Sequence, residues 1–155
     1  MLITSKGRYA LRLMIYIAAY GGSGDGVSEA SAAPNAKKIS LREVADRERI
    51  SLKYLEQLVR PLMAEGLLRS IRGKGGGYVL ARPSSEILAG DILRAAEGEK
   101  SAVACDGIGG TCGRSDLCST VKFWTGLERA IDEYVDSVTL ADLAAVPEVN
   151  LLASN

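Results

Sequence analysis

Cys105, Cys112 and Cys118 are the only cysteines in a chain of 155 residues, and all three fall in one glycine-rich segment, CDGIGGTCGRSDLC. A thiolate is a soft ligand, so three brought close together suit iron–sulfur chemistry or zinc. The chain has no histidine. Zinc sites that use imidazole are therefore excluded, and so is any Ser-His-Asp or Cys-His mechanism within the chain. No Cys-x-x-Cys occurs, and no thioredoxin-like alternation of strands, which argues against a small thiol-redox enzyme, and the chain is not expected to be an enzyme. The alternative to a metal centre is three reduced cysteines acting as an oxidation-sensitive thiol site.

A second group of residues has the chemistry to read nucleic acid. Ser51 is placed to cap a helix in which Leu52, Leu55, Leu58, Val59 and Leu62 form one apolar face. Lys53, Tyr54, Glu56, Gln57 and Arg60 are left mainly on the other faces. Gln57 can pair with adenine, Arg60 or Lys53 with guanine or phosphate, and Glu56 can accept from the cytosine amino group. Downstream, Arg69, Arg72 and Lys74 flank a turn made almost wholly of glycine, Gly73–Gly77, where the backbone can approach a groove while the cations neutralise phosphate. Each residue also has a plainer use. A charged helix face is usually only solvated, Arg69 can snorkel over the hairpin, and Tyr54 can complete the core. The glycine turn is not a phosphate loop, since no Gly-Lys-Ser/Thr signature follows a strand.

The charge distribution agrees with a polyanion partner. The chain as a whole is neutral, yet residues 1–83 hold 14 Lys and Arg against 7 Asp and Glu, and residues 84–155 hold 5 against 12. A basic half joined to an acidic half suggests that the first half meets a polyanion, the plainer reading being a chance partition of surface charge. The composition, 47% hydrophobic and 25% charged, is that of a globular protein, and no apolar run approaches a membrane span. The basic-then-apolar start could pass for a signal peptide, but Arg12 interrupts it and no convincing cleavage site follows. Without a signal peptide, an odd cysteine count points to a reducing cytoplasm.

These residues need elements to hold them. Tyr9, Leu13, Ile17 and Tyr20 recur at helical spacing and predict a helix from Ser5 to about Tyr20. Residues 21–38 are rich in Gly, Ser and Ala and read as a flexible loop. Ile39–Val44 carries a capping box, Ser40 with Glu43, and a hydrophobic staple, Ile39 with Val44, so a short helix should start there and close near Arg49. The helix after Ser51 contains Pro61, where a kink is expected, and ends at Gly66. Leu67–Arg72 and Tyr78–Ala81 read as a hairpin, and Ala89–Ala96 as a short helix. Trp124, Leu127, Ile131, Tyr134 and Val138 recur in a coiled-coil-like stripe on a helix from Thr120, which can pack on its own core or on a partner chain. The partner is the favoured reading. Thr139 and Asp142 then open a short last helix.

The expected fold is mainly α with a small β-hairpin: a winged helix-turn-helix plus a long C-terminal dimerisation helix. Residues 1–85 make the DNA-binding domain, 86–119 a short helix and the cysteine loop, 120–146 the dimerisation helix and terminal helix, and 147–155 a loose tail.

Three stretches together, MLITSKGRYALRLM, ISLKYLEQLVRPLMAEGLLRSIRGKGGGYVLARP and the cysteine segment followed by Phe123-Trp124, resemble the Rrf-two (Rrf2) family of bacterial transcription regulators over most of residues 1–145. YLEQL followed by RGKGGGY is highly specific to that family. The resemblance implies a homodimer whose C-terminal helices cross between subunits and which binds pseudo-palindromic double-stranded operators. It implies that Ser51, Tyr54, Glu56 and Gln57 occupy base-reading positions, that Glu56 tunes site choice with cluster state, and that Arg72 and Lys74 belong to the wing. It further implies that Cys105, Cys112 and Cys118 hold an iron–sulfur cluster. Two departures stand out. The first cysteine spacing is one residue longer than in a similar cluster-binding relative, and Val121 stands where that relative has its histidine ligand. Arg8 stands where nitric-oxide-sensing relatives draw a carboxylate from the partner. The fourth ligand is therefore open, with Asp106, Asp116, Ser119 or an outside thiol as candidates. Some family members answer to a sulfur-metabolism enzyme rather than a cluster, so a regulatory protein partner is the competing expectation.

Overall fold

The computed structural model describes residues 3–21, 37–98 and 117–145. Most of the expected 21–38 loop, the cysteine segment up to residue 116 and the expected tail lie outside them.

Helix α1 runs Ser5–Tyr20. Its buried residues, Gly7, Ala10, Leu13, Met14, Tyr16 and Ile17, follow the helical repeat, so one face is core throughout. Helix α2 is Leu41–Glu48 and helix α3 is Leu52–Ala64. Only Arg49, Ile50 and Ser51 separate them, and Arg49 takes the left-handed conformation at φ 53° and ψ 42°. The helix-turn-helix is thus closed by a non-glycine residue in the region L side chains enter at a cost.

Helix α3 runs unbroken through Pro61 and stops in a Schellman arrangement. Gly66, at φ 65°, donates to the Met63 carbonyl at 3.1 Å, and Leu67 donates to the Leu62 carbonyl at 2.9 Å. The chain leaves directly into strand β1, Leu68–Ile71, which pairs antiparallel with β2, Gly77–Leu80, in the register Leu68 with Leu80 through Ile71 with Gly77. Ile39 pairs with Tyr78 through two main-chain bonds of 3.1 and 2.8 Å, adding a third short edge to the wing. A Cβ on Gly77 would lie 2.7 Å from the Ile39 carbonyl oxygen, which is why that position carries glycine.

A 3₁₀ turn, Ser84–Glu86, leads to α4, Ala89–Glu97. Helix α5 is Val121–Val135 and α6 is Leu140–Ala144. The expected box at α6 is complete, with Asp142 N–H donating to Thr139 Oγ1 at 3.1 Å and Thr139 N–H to Asp142 Oδ2 at 3.0 Å. At α2 only half of it forms. Glu43 N–H donates to Ser40 Oγ at 3.1 Å, but the Glu43 carboxylate accepts from Tyr16 at 3.2 Å and Lys37 at 3.1 Å. Burial, and then the Glu43 charge, push the Tyr16 hydroxyl up to about 12.

The core gathers residues from α1, α2, α3 and the hairpin, and also takes Ile87, Ile92 and Leu140, which lie past the expected boundary at residue 85. Ala89 N–H donates to the Val138 carbonyl at 2.9 Å and Leu140 N–H to the Ile87 carbonyl at 2.7 Å, so the approach to α6 is stitched to the approach to α4. On α5 the expected stripe splits. Ile131 packs beside buried Val135, against Leu93 and Leu11, while Leu127 and Tyr134 are exposed together with Phe123. Among the described residues, no helix is long and apolar enough to cross a membrane.

Candidate nucleic-acid interface

Helix α3 has two opposed faces because its apolar and polar residues are out of phase on a 3.6-residue repeat. Leu55, Leu58, Val59 and Leu62 are buried. Lys53, Glu56, Gln57 and Arg60, at spacings of three, one and three, are all exposed and share the outer face. Its start is fixed by Ser51, whose Oγ accepts from Tyr54 N–H at 3.3 Å. Ser51 is itself exposed and keeps its hydroxyl proton for another partner.

Tyr54 stands apart from the other polar residues of α3. It is half-buried, its ring meets the edge of Tyr9 at 5.7 Å between centroids and 88° between planes, and its hydroxyl is 3.5 Å from Ser5 Oγ. Its ring therefore joins α3 to α1. In the wing, Arg69, Arg72 and Lys74 are exposed, and the connection between them and β2 is tightened by Gly76 N–H donating to the Gly73 carbonyl at 2.9 Å. Gly73 and Gly75 both have positive φ, 104° and 74°, so the wing tip depends on glycine for its shape.

Cys118 is the one cysteine of the three within the described residues. It is half-exposed just before α5, and its Sγ lies 3.3 Å from Thr120 Oγ1. That bond, followed by those from the main chain of Thr120 and Val121, holds the thiol below its ordinary 9.0, which favours the thiolate that a metal or an oxidant needs. Among the described residues, no three His, Cys, Asp or Glu side chains come together in a way that could hold an ion. Cys105 and Cys112 lie outside those residues.

Three residues escaped the reading of the sequence. Glu97 is 8% exposed and accepts from Thr4 N–H at 2.6 Å, Thr4 Oγ1 at 2.9 Å and Gly7 N–H at 2.8 Å. Burial pushes its carboxyl up, but the bonds from Thr4 and Gly7 outweigh it and hold the group below its ordinary 4.5. Arg12 donates from Nε to Glu48 Oε2 at 2.8 Å and from Nη2 to the Glu48 carbonyl at 2.6 Å. Arg49 is the left-handed turn residue. Arg12 had one visible signal, a charge inside an apolar helix. Glu97 had none, since its partners lie 93 and 90 residues away.

A helix-turn-helix followed by a hairpin wing, with a polar outer face on the second helix and cations at the wing tip, defines a DNA-binding transcription regulator. The particular family follows from the match of residues 3–146 to Rrf2, described as an iron-dependent transcriptional regulator. The chain belongs to that family. It is 37% identical over 149 residues to the HTH-type transcriptional regulator IscR of Sodalis glossinidius, covering 96% of this chain and 82% of the relative. Among solved structures it resembles CymR, the global cysteine regulator of B. subtilis, with a TM-score of 0.70 and 37% identity over 94% of this chain and 97% of that one. It also resembles T. potens IscR, with a TM-score of 0.67 and 33% identity over 92% and 85% of the two chains.

Proposed function

We propose that this regulator is a cytoplasmic homodimer that binds pseudo-palindromic DNA, and that Cys105, Cys112 and Cys118 carry an iron–sulfur cluster which sets its affinity or site preference. The supply of clusters, oxidants or nitric oxide is the signal. Residues 1–85 form the DNA-binding part. Lys53, Glu56, Gln57 and Arg60 face the major groove with Ser51 and Tyr54 at the head of α3, and Arg72 and Lys74 reach the neighbouring groove or phosphates. Residues 86–119 carry the sensing loop, and residues 120–146 make the dimer contact. Support for the contact comes from Phe123 at 63% and Tyr134 at 70% exposure beside Leu127, an apolar face on a helix whose other side is docked.

The observation that carries the cluster is the three-thiol segment, with Cys118 already shifted toward thiolate. A bound cluster supplies a centre that oxidants and nitric oxide attack. The chain's part is to tie loop order to the rest of the fold, and a ligand shifts such an equilibrium only by its differential affinity for the two states. The test is to purify the full chain without oxygen and measure iron, sulfide and visible absorption. Coloured protein that loses iron, and changes its DNA affinity, when the three cysteines become serine supports the reading. Colourless, iron-free protein whose binding is indifferent to those changes overturns it.

A second reading has its own support. The similarity to a cysteine regulator is as strong as that to IscR. On this reading the thiols stay metal-free, and control comes from a sulfur-metabolism enzyme or from thiol oxidation. Metal-free protein that co-purifies with such an enzyme, or whose DNA binding responds to peroxide, would favour it.

A further inference from the structure

We propose that Arg12 is a positioning residue for DNA recognition: from α1 it fixes the angle at which the helix-turn-helix presents the outer face of α3. The proposal rests on the reading of that face given above. Glu48 is the last residue of α2, where helix carbonyls lack intrahelical partners. The Arg12 guanidinium takes both the Glu48 carboxylate and the Glu48 main-chain carbonyl, at 2.8 and 2.6 Å. A half-exposed ion pair contributes little by itself. The bond to the main chain makes this one a cap, placed where a cation is favoured by the helix dipole.

The same guanidinium lies 5.7 Å from the centre of the Tyr9 ring. Tyr9 in turn meets the edge of Tyr54, in the first turn of α3. Arg12 therefore holds the end of α2 directly and the beginning of α3 through one intervening ring. Between those two points lie only Arg49, Ile50 and Ser51, and Arg49 is in the left-handed region. A turn that short transmits any rotation of α2 to α3. A turn that contains a strained residue also needs something outside it to choose its conformation. Arg12 and Tyr9, both on α1, supply that choice, and neither lies on the exposed stripe of Lys53, Glu56, Gln57 and Arg60.

The experiment uses the full chain and a duplex enriched by the unsubstituted protein from a randomised pool, with a shuffled duplex as the non-specific reference. The affinity ratio between the two, and the salt dependence of the non-specific affinity, are measured for Arg12→Met, Arg12→Lys, Glu48→Gln and Gln57→Ala. Arg12→Met is expected to lower the ratio about fivefold to tenfold, within the range one base contact supplies, and to leave the salt slope unchanged. Arg12→Lys should restore part of the ratio. Glu48→Gln keeps the main-chain carbonyl and an amide Oε1 as acceptors, so it should leave the ratio within about twofold, again at constant slope. A slope reduced by about 0.9 in Arg12→Met would instead make Arg12 a direct phosphate contact and overturn the proposal. An unchanged ratio in Arg12→Met overturns it too, and if Arg12→Met does not fold, a full ratio in Arg12→Lys, which cannot make both bonds at once, overturns it. If Gln57→Ala also leaves the ratio intact, it is the assignment of the α3 face that has failed, and the positioning role falls with it.

Discussion

The Glu97 carboxylate offers the sharpest quantitative test of how this fold is held. In a local capping box the residue at the third helical position reaches back to the cap. In α1 that third residue is Gly7, which has no side chain, and Glu97 from the end of α4 performs the task instead. A Cβ on Gly7 would lie 2.9 Å from both Glu97 Oε1 and Leu93 Cδ2, so the glycine and the distant carboxylate require each other. Glu97→Ala strands the N–H groups of Thr4 and Gly7 and removes a charged acceptor from their helix end. Bonds to a charged group contribute about 1.5–3 kcal/mol, and a lost cap costs about 1 kcal/mol, so a loss of about 2–4 kcal/mol is expected. Glu97→Gln separates shape from charge. Oε1 accepts both main-chain bonds, and the amide nitrogen in place of Oε2 can donate to Thr4 Oγ1, so this change should cost only about 1 kcal/mol. The pH dependence has a definite sign. The folded carboxyl sits below its ordinary 4.5, so its contribution is complete above that value and is lost as pH falls through the lower, folded one. The gap between the unsubstituted protein and Glu97→Gln should therefore be constant near neutrality and narrow below pH 4.5. Urea unfolding followed by circular dichroism, at one fixed chain concentration because dimers shift with mass action, measures both quantities. Equal losses for Ala and Gln, or a gap indifferent to acid, would refute the capping role.

The remaining expectations are simpler. Gly77→Ala pushes a methyl group to within 2.7 Å of the Ile39 carbonyl oxygen and should destabilise by about 1–3 kcal/mol, with loss of amide protection at Tyr78 in hydrogen exchange. Arg49→Gly relieves a left-handed residue and should stabilise by about 0.5–1 kcal/mol in the same urea experiment. Arg60→Ala or Lys74→Ala should weaken DNA binding across sequences and lower the salt slope by about 1, whereas Glu56→Ala should relax sequence choice and keep the slope. Leu140→Ala, at a side chain with no exposure in the main core, should cost about 2–5 kcal/mol by urea unfolding.

What the sequence disclosed was local. Ser51 as a cap, the Gly66 stop, the glycine hairpin and the Thr139 box each satisfy main-chain groups within a few residues, so the residues that make them are neighbours in the chain. The outer face of α3 was equally legible, because periodicity alone separates Lys53, Glu56, Gln57 and Arg60 from the leucines. Trouble began where a side chain had a choice of partners. Glu43 had a local partner at Ser40 and took Tyr16 and Lys37 instead. Tyr54 falls among the polar residues left off the apolar face, yet its ring rests against Tyr9. On α5 the whole stripe was read as facing a partner chain, yet Ile131 of that stripe packs inward beside Val135 while Tyr134 is exposed. A heptad stripe assumes one partner surface, and this helix has two sides to satisfy.

The deeper misreading was of autonomy. Read by pattern, the winged module looks complete by residue 85, because its helices and hairpin already account for their own apolar faces. In the fold, α1 is held at its start by Glu97 and along its length by α4 and α6, and Leu140 closes the core from a helix near the other end of the chain. The consequence is mechanical. Glu97, the carboxylate that caps α1, and Cys118, three residues ahead of α5, flank the cysteine segment. Helix α1 also carries Tyr9 and Arg12, which touch both sides of the helix-turn-helix turn. Under the proposed function, a change in that segment need not act on α3 through a distant interface, since Glu97 at its near edge already grips the helix on which Tyr9 and Arg12 sit.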